Sequence, residues 1–110
     1  MTGSVREIVN LAGKYGLKIS SIDATDVTLI ARLELLPGIF VQVYRNSRKN
    51  KLNLALIVGN TRIYGFDSEG GMIHEHPLQD PESHIPCAQG PGTEEFILEC
   101  LTFLRDRDLI

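Results

Sequence analysis

All three histidines of the chain fall in one short stretch, His74, His76 and His84, which also carries Glu75, Asp80 and Glu82. In an extended segment His74 and His76 project to the same side. Two imidazoles at that spacing can hold one divalent transition metal, with His84 or a carboxylate as third ligand. An open fourth position would make the centre hydrolytic. Without a metal, the same imidazoles are acid–base groups near neutral pH. In the plainest reading they only pin a loop by hydrogen bonds. The spacing matches no strong metal signature, and Pro77 and Pro81 exclude a regular helix through the stretch.

A second set is basic. Arg45, Arg48, Lys49 and Lys51 surround one connection beside Tyr44. Cations there could hold phosphates while the aromatic ring stacks on a base. The competing reading is a solvated hairpin tip whose charges discourage edge-to-edge pairing. Arg62 sits on a strand-like run close to the histidines. If its side chain points toward them it could stabilise a developing phosphate charge; otherwise it pairs with Asp67 or Glu69. Cys87 lies near His84 and could form a Cys–His nucleophile only by a fold-level coincidence. No phosphate-binding loop, dinucleotide fingerprint or nucleophile elbow is present.

These residues need elements to position them. Val5, Ile8, Val9 and Ala12 form a helical stripe after Ser4, a plausible N-cap, and Gly16 can end that helix. Leu17–Ile22 reads as a short strand. Val27, Leu29, Ala31, Leu33 and Leu35 alternate with more polar neighbours, so a strand with one buried face is expected over 27–35. Pro37-Gly38 breaks it. Ile39–Tyr44, Leu52–Val58 and Arg62–Phe66 read as three further strands, the last two joined at Gly59-Asn60 by a two-residue hairpin. Residues 72–92, with four of the five prolines, read as an irregular loop. Gly70-Gly71 and Gly90-Pro91-Gly92 flank it as turns. Thr93 is the expected N-cap of a second helix whose stripe is Phe96, Ile97, Cys100, Leu101 and Leu104. The expected fold is α+β: an antiparallel meander of about five strands, with an N-terminal and a C-terminal helix packed on the sheet.

At 110 residues the chain is one domain, and 43% hydrophobic against 23% charged residues is a globular balance. No run is long and apolar enough to span a membrane, and the start lacks a secretory pattern, so a cytoplasmic location is expected. Cys87 and Cys100 make neither a zinc spacing nor a disulfide framework, and Cys100 reads as a core thiol. Charge is lopsided: residues 1–60 carry +4 and residues 61–110 carry −7, giving −3 in all. That balance argues against general coating of nucleic acid but leaves room for a local basic site.

The segments Arg62-Ile63-Tyr64-Gly65-Phe66-Asp67, His76-Pro77 and Pro81-Glu82-Ser83-His84 resemble the TumE-like family of small prokaryotic proteins. The resemblance spans roughly residues 27–107. It implies a small α+β domain and a role as the toxin of a toxin–antitoxin pair, with an antitoxin as partner. Phe66, Asp67, His76 and His84 match the family pattern by position. Ser68 stands where the family usually has Asn, an acidic, Gly-rich insertion separates Asp67 from His74, and the N-terminal helix is additional. On this reading the domain acts on RNA. His76 and His84 serve as base and acid, Asp67 orients one imidazole, and Arg62 clamps the phosphate, with no cofactor required. Tyr44, Arg45, Arg48 and Lys49 are the RNA-binding candidates. Two other classes compete. One is a metal-binding hydrolase on His74, His76 and His84. The other is a non-catalytic interaction module whose acidic C-terminal half suits a basic partner.

Overall fold

A computed structural model describes residues 3–70, 72–77, 80, 83, 85–87 and 90–110. Its elements run α1 (Gly3–Tyr15), β1 (Lys18–Ala24), β2 (Thr28–Leu36), β3 (Ile39–Asn46), β4 (Lys51–Val58), β5 (Thr61–Glu69), β6 (Met72–His76), β7 (Ile85–Cys87) and α2 (Thr93–Asp106). The strands form one antiparallel sheet in sequence order, β1 to β7. The fold is the expected α+β meander with a helix at each end.

The sheet has seven strands rather than about five. The two additional ones, β6 and β7, lie inside 72–92, where an irregular loop was expected. Met72–His76 alternates its side chains against β5 and is sealed as a strand by that pairing, with Asp67 opposite His74 and Gly65 opposite His76. β7 is only three residues long and carries Pro86, which an outermost strand tolerates.

Period-two patterning sorts the side chains. Leu29, Ala31, Leu33, Val41, Val43, Leu54 and Leu56 point to one face and are buried with Ile8, Leu11 and Ala12 of α1 and Phe96, Ile97 and Cys100 of α2. The stripe of α1 therefore runs through Leu11, while Val9 is half exposed. Gly16 ends α1 with φ 65°, the left-handed value expected at that position. Gly92, not Thr93, is the N-cap of α2: its carbonyl accepts from the Phe96 N–H, and its own N–H donates to Glu95 Oε1 at 3.0 Å. Thr93 is instead buried, and its hydroxyl accepts from Arg45.

Aromatic packing fastens α2 to β5. Phe96 stacks on Tyr64 with centroids 5.5 Å apart and meets Phe66 edge-on. Lys14 and Tyr15 of α1 both reach Glu94 of α2, so the end of α1 is tied to the start of α2. No described helix is long and apolar enough to cross a membrane. Both helices lie on one face, and the other face of the sheet carries none.

Candidate functional site

The helix-free face is ordered by register into rows of side chains. One row crosses Ile30, Tyr44, Asn53, Asp67 and His74 on β2 to β6. The next crosses Arg32, Gln42, Ala55, Gly65 and His76. Arg32 Nε donates to Gln42 Oε1 at 2.9 Å.

Arg62 reaches this face through an irregularity. Tyr64 pairs with Leu56, but Ile57 pairs with Arg62, so one extra residue, Ile63, is inserted on β5. In a regular ladder Arg62 would face the core. The bulge turns Ile63 toward the core instead and places Arg62 on the open face, as bulges beside functional sites do. Gly65 then leaves the floor clear. A Cβ on Gly65 would lie 3.5 Å from Arg62 Cδ and only 2.5 Å from the Leu54 carbonyl oxygen.

Above this floor three side chains converge. His76 Nε2 is 2.7 Å from Asp67 Oδ2, and His76 Nδ1 is 3.2 Å from an Arg62 terminal nitrogen. The other terminal nitrogen of Arg62 is 3.9 Å from Asp67 Oδ2. Arg62 can only donate, so Nδ1 accepts and the ring proton sits on Nε2, donated to Asp67. The imidazole is fully enclosed, whereas the Asp67 and Arg62 side chains remain 30% and 36% exposed. His76 is thus a buried link between two groups that solvent reaches.

A cavity of about 530 Å³ opens beside this triad, lined by Ile30, Tyr44, Asn53, Ile57, Arg62 and Asp67 among others. A neighbouring one of about 420 Å³ continues over Lys51, Asn53, Asp67, Glu69, Met72 and His74. Asn53 Oδ1 is enclosed with no hydrogen-bond partner.

The expected site residues divide. Asp67, His76 and Arg62 come together, with Asp67 Oδ2 on the imidazole Nε2. His76 is not open to a substrate, as an acid–base group would be, but is enclosed between two partners. His84 lies outside the described residues. His74 projects to the same face as His76, but no group of three His, Cys, Asp or Glu side chains among the described residues is arranged to hold a metal. Tyr44 faces the cavity, with Lys51 Nζ 5.9 Å from its ring centre. Arg45 points to the opposite face, where it pairs with Glu7 at 2.6 Å and donates to Thr93 at 2.7 Å. Arg48 and Lys49 sit exposed at the β3–β4 turn. A cavity of about 440 Å³ lies at that rim, walled by Thr25, Asp26, Arg45 and Lys51.

Two site residues escaped the sequence reading. Asn53 is the polar residue inside the alternation Leu52, Leu54, Leu56, a position that faces away from the core. Gly65 interrupts an aromatic strand run, which signals a close approach or a bulge nearby.

No family model, curated protein or solved structure matches this chain.

Proposed function

We propose that the chain binds single-stranded RNA on the helix-free face of its sheet, and that the Asp67–His76 pair braces Arg62 rather than moving protons. The observation that carries this reading is the enclosed imidazole whose two nitrogens are both engaged, one by the carboxylate and one by the guanidinium. A base must be within reach of the proton it takes. His76 instead orients a cation that keeps donors for a phosphate.

The rest of the face suits the same ligand. Tyr44 offers a ring for stacking, and Asn53, Gln42 and Asn60 line the cavity with amides. Sheet faces with exposed aromatics are a recurring platform for unstacked bases. The TumE-like resemblance supports placing this activity in a toxin–antitoxin pair, where occupying RNA would inhibit growth and an antitoxin would cover the same face.

Fluorescence anisotropy with a labelled 12-nucleotide single strand, beside a denaturing gel, tests the reading. Saturable binding with the RNA left intact is expected, and Arg62→Ala should weaken it by roughly tenfold or more, the worth of a charged hydrogen bond. Cleavage of the RNA that disappears in His76→Ala would overturn the bracing role.

A further inference from the structure

The two edges of the sheet are built differently. At one edge β7 is three residues long and carries Pro86, features that keep an edge from templating a further strand. At the other, β1 is seven residues long and has no proline. Among the described residues it pairs with β2 alone, so its outer row of backbone groups has no partner strand.

The side chains of β1 are self-complementary. Lys18 and Asp23 carry opposite charges near its two ends, and among the described residues neither has an ion-pair partner. A two-fold axis between Ser20 and Ser21 sets Lys18 opposite Asp23 of a second copy, and Ile19 opposite its Ile22, each pair occurring twice. In a regular strand, residues three or five apart point to opposite faces, and this register would fail. An inserted residue, Ser20, removes the conflict. Ile19 stands opposite Leu33 and Ile22 opposite Ala31, both buried on the helix face. Lys18 and Asp23 stand opposite Glu34 and Ile30, on the open face. The Ser20 hydroxyl donates to the Arg32 carbonyl oxygen at 3.3 Å, which ties the insertion to β2. Both pairs therefore match face for face. A slip of one residue either way sets Ile19 against Asp23 or Lys18 against Ile22, each a pair from opposite faces.

We propose that β1 pairs with β1 of a second copy, antiparallel and in this register, making a two-fold dimer with one continuous sheet. Main-chain hydrogen bonds and the Ile19–Ile22 contacts supply affinity, Ile22 being 39% exposed in the single chain. The charged pairs select the register. The axis runs through the sheet, so the open faces of both copies, each with its Arg62, lie on the same side. The dimer does not depend on what those faces bind.

Sedimentation equilibrium of the full chain, from low to high micromolar concentration, tests it. A concentration-dependent monomer–dimer equilibrium is expected. Lys18→Asp sets carboxylate against carboxylate at both ends of the new ladder, and Asp23→Lys sets ammonium against ammonium. Each variant alone should dimerise about tenfold more weakly than the parent. Mixed in equal amounts, the two variants bring opposite charges together again at both positions, and a heterodimer as tight as the parent dimer is expected. Thermal melts check that each variant folds. A parent chain that stays monomeric throughout would overturn the proposal whatever the variants do. A dimer that neither reversal weakens would place the interface elsewhere, and one that mixing does not restore would place it in another register; either result sinks the proposal.

Discussion

Gly65 and His76 face each other across β5 and β6, and the stem of Arg62 packs beside Gly65, its Cδ 3.5 Å from where a Cβ would stand. Two irregularities cooperate here. The insertion of Ile63 turns Arg62 out of the core, and the glycine three residues on lets it fold back over the strand toward His76.

Gly65→Ala should therefore be costly despite its small size. The added methyl group would meet the Leu54 carbonyl oxygen at 2.5 Å, and a backbone atom in a central ladder has little freedom to yield. Overpacking of this kind costs about 1–3 kcal/mol. Thermal denaturation should show a melting point lower by at least about 4 °C for a domain of this size. A melting point equal to that of the parent would mean that the ladder yields at Gly65 without cost.

The triad should behave as one unit. Removing His76 leaves Asp67 and Arg62 without their enclosed partner and opens a cavity, so His76→Ala is expected to cost about 2–4 kcal/mol. Asp67→Ala is milder because solvent reaches the carboxylate. In the double variant the second loss should be smaller than alone, with a coupling of about 0.5–3 kcal/mol between directly bonded groups. Urea titration of the parent, both single variants and the double variant measures it. Strict additivity would show that the 2.7 Å contact does no coupling.

Much of this architecture was legible and part was not, for identifiable reasons. The alternation from Val27 to Leu35 announced the buried face of β2, and Gly59-Asn60 announced the β4–β5 hairpin, because both signals are local. β6 was missed because Met72–His76 is polar, and its alternation places histidines, not aliphatic residues, on the open face. Its strand character comes from pairing with β5, which no local window contains. Asp67, His76 and Arg62 were singled out by residue type and by family resemblance. The contact between Arg62 and His76 is not local in sequence, since it depends on the irregularity at Ile63 that turns Arg62 to the open face. Arg45 was misjudged as part of a basic cluster because contiguity in sequence hides the alternation that sends Tyr44 and Arg45 to opposite faces.

Stability should fall in mild alkali. Burial holds the Cys100 thiol above its ordinary 9.0, with Glu99 adding to it. Burial and the hydrogen bond to Glu99 hold the Tyr64 phenol above its ordinary 10.0. Both groups return to ordinary values on unfolding. Above about pH 9 the unfolded chain sheds a proton that folded Cys100 retains, so the folded state loses ground as pH rises, at up to about 1.4 kcal/mol per unit. Tyr64 adds a smaller loss above pH 10, moderated by solvent at its ring edge. Urea midpoints should hold steady between pH 7 and 8.5 and then decline. In Cys100→Ala, less stable at neutral pH, the decline between pH 9 and 10 should flatten, and an unchanged slope would assign it to other groups.

Arg45 separates fastening from recognition. It links β3 to α1 through Glu7 and to α2 through Thr93, on the face away from the cavity. Arg45→Ala should lower stability by about 1–2 kcal/mol, as loss of a part-buried charged hydrogen bond does, leaving the Thr93 hydroxyl short of a donor. RNA affinity, measured well below the melting point, should stay within about twofold because salt-screened charges on the opposite face contribute little. Arg62→Ala should do the reverse, with a large loss of affinity for a modest loss of stability. If Arg45→Ala instead abolished binding while the melt was unchanged, the recognition face would have to be moved from the open side of the sheet to the rim beneath the helices.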